Sequence, residues 1–281
     1  MGTTFLLFEP NHVGTQCTYR EYKMKYKAIF SDMDGTLLNS QHKISPRTEQ
    51  AIKSVIRKGI PFIPVSARPP YAIIPYTNQL QTNAPIICYS GALILDKELN
   101  ELYSVLIDTA DLNKLTTLLT PYAHLSISHY SGLNWFVNQH DYWAQQETEI
   151  TGLQAQKTPE NIQNVHKILI MGNADAILDV EQLLKRALPH LSIHRSKPEY
   201  LEIMNKAATK AKAIRFMEHY LHVSANEVIA FGDNFNDLDM LEYAGLSVAM
   251  GNAPEEIQQV AKEVTANNNE DGIALVLERE F

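Results

Sequence analysis

Lys27-Ala28-Ile29-Phe30-Ser31-Asp32-Met33-Asp34-Gly35-Thr36-Leu37-Leu38 is the stretch from which the fold is read. Its first five residues are a short apolar run of the kind that makes a buried strand. Two carboxylates follow at i and i+2, Gly35 supplies the freedom for a sharp turn, and Leu37-Leu38 returns the chain to the interior. A strand that delivers a polar loop fits an open parallel sheet, where ligands bind at the C-terminal strand ends. From one small loop Asp32 and Asp34 can reach one ligand. Asp32 is placed as a nucleophile and Asp34 as a general acid and base, with like-charge repulsion separating their pKa values. A calcium loop would need Gly at its sixth position, whereas here Gly is fourth and Thr fifth, so that reading fails. An acidic turn whose carboxylates only cap backbone groups stays open at this point.

Outward from this loop, short apolar runs alternate with helical patterns from Met24 onward, the signature of a parallel sheet flanked by helices. Ser45 and Pro46 read as N-cap and first-turn proline of a helix carrying Ala51, Ile52, Val55 and Ile56 and closed by Gly59. Ile60 to Val65 is a second strand, whose two prolines predict irregular or edge pairing. A helix follows Pro69-Pro70, and Pro85 to Tyr89 is a third strand. Between Leu93 and Ser196 the texture changes: segments alternate in shorter steps, both tryptophans fall here, and His and Tyr are frequent. The βα alternation then resumes with a strand at Tyr200–Met204, a helix from Thr209 to Tyr220, a strand at Val228–Phe231, a short helix from Asn236 to Ala244 and a strand at Leu246–Met250. The expected organisation is one α/β domain, residues 24–92 and 197–281, interrupted by an inserted block, residues 93–196. Residues 1–23 lack periodicity and are expected to be a dispensable extension.

At 281 residues the chain suits two domains or one large one, and its 45% apolar content is ample for a core. The formal charge of −8 argues against nucleic acid or an anionic membrane as partner. A negative protein that binds phosphate esters needs local positive charge, from a metal or a well-placed Lys. Cys17 and Cys88 are far apart and in no metal-ligand spacing, which points to a reducing compartment. No apolar run approaches the roughly 18–20 residues of a membrane span. The N-terminus lacks the basic region of a signal peptide, and Leu6 stands where a myristoylation motif wants Ser or Thr. The expected location is cytoplasmic.

Three further segments carry polar residues to strand ends. Ser66-Ala67-Arg68 follows the second strand directly, where a hydroxyl and backbone N–H groups make an anion site, although a Ser there also serves as a helix cap. Thr209-Lys210 opens a helix, so that a Lys there can neutralise charge growing on a phosphoryl group. Lys206 and Lys212 are close rivals that spacing does not separate. Gly232-Asp233-Asn234-Phe235-Asn236-Asp237-Leu238-Asp239 packs three aspartates behind a strand, a donor set suited to magnesium. Asp233, first after the strand, is best placed, while Asn236 or Asp237 could equally be an N-cap.

Together and in this order these segments resemble the haloacid dehalogenase superfamily of phosphohydrolases, specifically its Cof-type branch with a type IIB cap. The resemblance runs from about Met24 to Phe281. Asp32, Asp34 and Thr36 match its D-x-D-G-T motif, and Ser66-Ala67-Arg68 its second. Glu202-Ile203 with Thr209-Lys210 match its third, which selects Lys210. Gly232, Asp233, Asn236 and Asp237 match its fourth. The resemblance implies a Rossmann-like parallel-sheet core flanked by helices, with the inserted block as an α+β cap domain. It implies Mg2+ held by Asp32, the backbone carbonyl of Asp34, and Asp233. Phosphate would meet Ser66, Lys210, Asn236 and backbone N–H groups near Met33 and Ala67, with Asp237 orienting Lys210 or a metal-bound water. Three positions depart from the pattern. Ser90 stands where relatives often have Asn, Ala67 where Gly is frequent, and Ala211 where many have Gly.

The expected activity is magnesium-dependent hydrolysis of small phosphate monoesters, above all sugar phosphates, through an aspartyl-phosphate on Asp32. The alternatives are a sugar phosphomutase, a non-catalytic phosphosugar sensor, and a receiver-like domain phosphorylated at Asp32. A persistent phosphoryl group would waste Asp34, and retention of all four motifs argues against a sensor. The expected partner is a small phosphorylated metabolite. His219 and His222 lack a third ligand for zinc, and Trp135, Phe136, Tyr142 and Trp143 suit cap packing better than ligand stacking.

Overall fold

The computed structural model describes residues 24–281, so the expectations for residues 1–23 lie outside the described residues. The chain begins with β1 (Ala28–Asp32), α1 (Pro46–Arg57), β2 (Phe62–Val65), α2 (Ile74–Leu80), β3 (Ile86–Cys88), β4 (Leu93–Leu95) and β5 (Glu101–Ser104). It continues through α3 (Thr109–Leu119), β6 (Ser126–Ser131), β7 (Asn134–Val137), α4 (Tyr142–Thr151), β8 (Gln156–Lys157), β9 (Lys167–Met171), α5 (Ala174–Ala187), β10 (Leu191–Lys197) and β11 (Tyr200–Asn205). The last part holds α6 (Lys210–Leu221), β12 (Val228–Gly232), α7 (Leu238–Tyr243), β13 (Leu246–Ala249), α8 (Glu255–Val260), β14 (Glu263–Val264) and α9 (Gly272–Glu280).

Two sheets result. The first runs β14-β13-β12-β1-β2-β3-β4-β5, parallel up to β3 and antiparallel through the β4–β5 hairpin. The second runs β10-β11-β9-β6-β7-β8 and is antiparallel except at β8. The first is the Rossmann-like core foreseen from the βα alternation. β1 is buried on both faces because its residues serve two helical layers. Ile29 and Phe62 pack with Ala51, Ile52 and Val55 of α1 and Leu277 of α9, while Ala28, Phe30 and Val65 pack with Ala213, Ile214 and Met217 of α6. Burying a side chain such as Ile29 or Phe30 contributes roughly 1.5–3 kcal/mol, so β1 is a firm anchor for a site. α1 starts as expected, with Ser45 accepting from the Thr48 N–H at 3.1 Å and Pro46 in the first turn.

Three placements differ from the sequence reading. Tyr200–Met204 does not return to the first sheet. As β11 it pairs with β9 and β10 in the second. Leu93–Ser104 does not belong to the second sheet but extends the first as β4 and β5. The chain therefore crosses between β5 and α3, and back between β11 and α6. An alternating pattern marks a strand without naming its partner, and pairing is settled by tertiary packing. β2 is also central, not an edge: it lies between β1 and β3, and its prolines show instead in the brevity of its pairing with β3, at Val65 and Ile87 only.

One face of the second sheet (Ile127, Ile168, Ile170, Leu201, Ile203) lies under α3 and α5. The other carries Tyr130, Trp135, Leu169, Met171 and Tyr200 into the same cluster as Tyr89 and Leu93 of the first unit. Trp135 is thus a packing residue, buried and stacked on Tyr130 with ring centroids 6.0 Å apart, whereas Tyr142 stands exposed. The Tyr89 hydroxyl donates to the Gly132 carbonyl at 2.9 Å, bridging the two units. Among the described residues no helix is long and apolar enough to cross a membrane.

Candidate active site

Parallel pairing puts the chemistry at one edge. Asp32 ends β1 opposite Val65, so Ser66 is the next residue out on β2. Ser31 lies opposite Phe231, so Asp233 emerges beside Asp32 at the end of β12. β1 lies between β2, the next strand of the chain, and β12, from its far end, so the strand order reverses here and opens the crevice where ligands of open α/β sheets bind.

Lys210 ties the site together. It is the first residue of α6, and its side chain is fully buried. Its ammonium donates to Asp32 Oδ1 at 2.5 Å and to Asp237 Oδ1. The rivals Lys206 and Lys212 are exposed. The N-terminus of α6 is held by Thr209, whose hydroxyl accepts from the Lys212 N–H, and by Asp239, which accepts from the Ala211 N–H at 3.0 Å. Ala211 is thus compatible with the helix start, where only its N–H is used. Gly91 (φ +100°) lies against this turn: a Cβ there would fall 2.3 Å from the Thr209 carbonyl oxygen.

The three aspartates of the 233–239 segment divide their work. Asp237 is fully buried, and its Oδ2 accepts from the N–H groups of Asp233 and Asn234 at 2.9 and 3.0 Å, so its carboxylate is committed to positioning Lys210 and the loop. Asp239 caps α6. Asp233 faces Asp32 and accepts from the Thr36 hydroxyl at 2.6 Å. Asn234 caps the turn that follows, Asp237 stands at the N-cap position of α7 without a side-chain capping bond, and Asn236 lies exposed on the turn. Gly35 (φ +81°) is demanded by this packing, since a Cβ there would lie 2.2 Å from Asp233 Oδ2.

Carboxylate oxygens of Asp32, Asp233 and Asp237 lie within 4.8 Å of one another. Fully ionised, the three carboxylates would carry two negative charges beyond the one that the Lys210 ammonium balances. Burial first, then the charge of Asp237, raises the Asp32 pKa well above the usual carboxylate range, against the pull of Lys210. Burial likewise pushes Asp233 up to about 6, partly offset by the Thr36 hydrogen bond. Burial works to lower the Lys210 pKa, but Asp237 and Asp32 prevail and raise it, so the ammonium stays charged. Hard oxygen donors, a charge deficit and carboxylates reluctant to ionise together fit a divalent cation such as magnesium.

A pH-dependent result follows. A carboxylate whose folded pKa is raised binds a proton more tightly when folded, so its contribution to stability is present below the unfolded value near 3.8 and is lost as pH rises through about 6. Magnesium competes for the ionised form. Added Mg2+ is therefore expected to raise the melting temperature by several degrees at pH 7.5 and by little at pH 5, measured by differential scanning fluorimetry. Equal shifts at both pH values would contradict this assignment.

Asp34 behaves differently from its neighbour. Burial works to raise its pKa, but Arg68 outweighs it and the pKa is lowered. Arg68 Nε and Nη2 donate to the two carboxylate oxygens at 2.7 and 2.6 Å, and His42 Nδ1 lies 3.5 Å away. The separation of pKa values expected between the two acids is present with the senses exchanged: Asp34 is ionised and Asp32 is the group pushed upward. Arg68 and Asp34 are 34 positions apart, and nothing in the spacing signalled their pairing. Asn252 also reaches the site, with no signal in its spacing to mark it. Its Nδ2 donates to the Gly35 carbonyl at 2.9 Å and lies 3.4 Å from Asp233 Oδ2.

Ser66 is buried, and its Oγ accepts from the Arg68 N–H at 3.1 Å. Ala67 has no positive φ, so the side chain it carries in place of Gly is unstrained. Ser90 does have a left-handed backbone (φ +52°), a conformation Asn tolerates better, and its N–H donates to the Ser66 carbonyl at 2.8 Å. Met33 is fully buried beneath the loop.

Residues 29–277 match the family of haloacid dehalogenase-like hydrolases. A Haemophilus influenzae protein named "Putative phosphatase" is 50% identical over 260 residues, covering 92% of this chain and 99% of that relative. A haloacid dehalogenase-like hydrolase from Bacteroides thetaiotaomicron superposes with a TM-score of 0.85 at 32% identity, over 92% of this chain and all of its own. A subclass IIB sugar phosphatase of the same superfamily gives a TM-score of 0.78 at 23% identity, over 90% of this chain and 98% of its own, a likeness of fold.

Proposed function

Because this chain belongs to the haloacid dehalogenase-like hydrolases and is a phosphatase, we propose that it hydrolyses small phosphate monoesters, sugar phosphates foremost, by way of an aspartyl-phosphate on Asp32 and with magnesium as cofactor. The observation that carries this reading is the Asp32–Lys210–Asp237 chain at the end of β1, with Asp233 alongside.

In the first step an oxygen of Asp32 attacks phosphorus in line, the bond from phosphorus to the ester oxygen breaks, and that oxygen takes a proton from Asp34, which must first gain it from solvent because Arg68 holds its carboxylate ionised. Lys210, held to Asp32, balances the charge gathering on the phosphoryl oxygens. Ser66, with the N–H groups near Met33 and Ala67 and the side chain of Asn236, would hold those oxygens. In the second step water attacks phosphorus, Asp34 accepts the proton, and the bond to Asp32 breaks. The ionised state that Arg68 imposes on Asp34 is the one this second step uses. Asp32, Asp233 and the Asp34 carbonyl would hold magnesium, which would supply charge neutralisation at the phosphoryl group.

The second sheet is, in this reading, the cap. Its contacts at Gly132 and Lys167 set it over the residue 66–91 side of the crevice, which favours small substrates over proteins. The test is phosphate release from p-nitrophenyl phosphate and a panel of sugar phosphates, with Mg2+ or EDTA. Turnover in Mg2+ and its loss in EDTA are expected, and an inert panel would overturn the reading. Asp34→Ala, at a side chain nearly half exposed, is expected to leave the melting temperature within about 2 °C. It should lower kcat by about 10²–10⁴-fold, the usual weight of a general acid and base. Unchanged kcat would remove Asp34 from the mechanism.

A further inference from the structure

Lys167, the first residue of β9, is buried in the second sheet. Its ammonium lies 2.8 Å from Glu202 Oε2 on the adjacent β11, and it donates across the seam to the Ala67 carbonyl at 3.3 Å. Against well-packed apolar residues of similar size, a buried ion pair is often neutral or destabilising, so stability does not account for this one. The atom it reaches does.

The Ala67 carbonyl and the Arg68 N–H are the two ends of one peptide unit, and that N–H donates to Ser66 Oγ. The flanking carbonyls are also engaged, Ser66 by the Ser90 N–H and Arg68 by the Tyr89 N–H at 3.3 Å. Ser66 Oγ thus accepts from within the loop, and its own hydrogen is left to donate to a phosphoryl oxygen. A cation on the Ala67 oxygen polarises the peptide, strengthens the bond from Arg68 N–H to Ser66, and makes that hydroxyl a better donor.

We propose that Lys167 is a positioning residue supplied by the second sheet, which completes the phosphate-binding loop of the first and so couples phosphate affinity to the seating of the cap. This rests on the reading above of Ser66 as a phosphate ligand. Glu202 holds the lysine in place, with Tyr130 beneath it, the ammonium 5.9 Å from the ring centroid.

The test replaces the pair together, as K167M/E202M, so that no unpaired charge stays buried, and measures inorganic phosphate binding in Mg2+ by calorimetry. Steady-state constants for p-nitrophenyl phosphate are read in parallel. The double variant is expected to melt at or above the wild-type temperature. Its phosphate Kd and its KM should rise together about tenfold, as expected for one charge-assisted hydrogen bond, with kcat changed less than about threefold. K167R, which keeps the charge, is expected to stay within about threefold of wild type. Wild-type phosphate affinity in K167M/E202M would overturn the proposal alone, as would a loss in K167R equal to that of the double variant. A wild-type protein that binds no phosphate would overturn the reading of the loop and the proposal with it.

Discussion

Asp32→Asn is expected to lower phosphate release by at least about 10⁴-fold, because an amide cannot serve as the attacking nucleophile and groups that act as a unit fail together. The same substitution is expected to leave the melting temperature unchanged or higher. Burial and the charge of Asp237 raise the Asp32 pKa, so its ionised form is disfavoured in the folded protein and its contribution to stability is lost as pH rises above the usual carboxylate range. An amide of the same shape removes that repulsion, while Asp237 continues to hold Lys210. Activity loss with retained stability, read from p-nitrophenyl phosphate turnover and thermal melts on one preparation, separates a reacting group from a structural one. Residual activity within tenfold of wild type would remove Asp32 from the role of nucleophile.

Lys210→Met has the opposite profile, with a large loss of both. Without the ammonium, Asp32 and Asp237 face each other in a buried site, and breaking a buried ion pair by deleting one partner costs about 3–5 kcal/mol. The Lys210 pKa is raised, so its stabilisation is fully present at neutral pH and is lost only as pH rises above the ordinary lysine value. The deficit of the variant should shrink as pH falls and Asp32, whose pKa burial raises, takes up a proton. Urea denaturation is expected to show a smaller gap between wild type and variant at pH 5 than at pH 8. Turnover should fall by about 10²–10³-fold or more, the weight of one preorganised charge in the transition state. A stability gap that widens toward acid would contradict the pairing.

Several parts of this arrangement were legible before the fold. Asp32, Ser66 and Asp233 each follow an apolar run, and in a parallel sheet residues just beyond such runs gather at one edge. Parallel register alone brings Asp32 beside both Ser66 and Asp233. Lys210 was legible only with the help of its motif. Spacing left it level with Lys206 and Lys212, and what distinguishes it is that its side chain turns inward between two carboxylates. The partners of the polar groups were not legible. Arg68 with Asp34, Thr36 with Asp233 and Asn252 with Gly35 join positions 34, 197 and 217 residues apart, and neither periodicity nor composition encodes such pairs. The misplacement of Tyr200–Met204 has the same origin. Its continuous burial suits either sheet, and the choice is made by β9 and β10, which offer it antiparallel partners along nearly its whole length.

In the proposed reaction every phosphoryl group passes through Asp32. The most direct measurement is acid quenching during turnover of p-nitrophenyl phosphate in Mg2+, followed by borohydride reduction and peptide mass spectrometry. The reduction converts an acyl phosphate to the alcohol and leaves a free carboxylate untouched. Conversion of Asp32, and of neither Asp34 nor Asp233, is expected, with no conversion in EDTA. Steady phosphate release with Asp32 unmodified, or modification at another carboxylate, would contradict it.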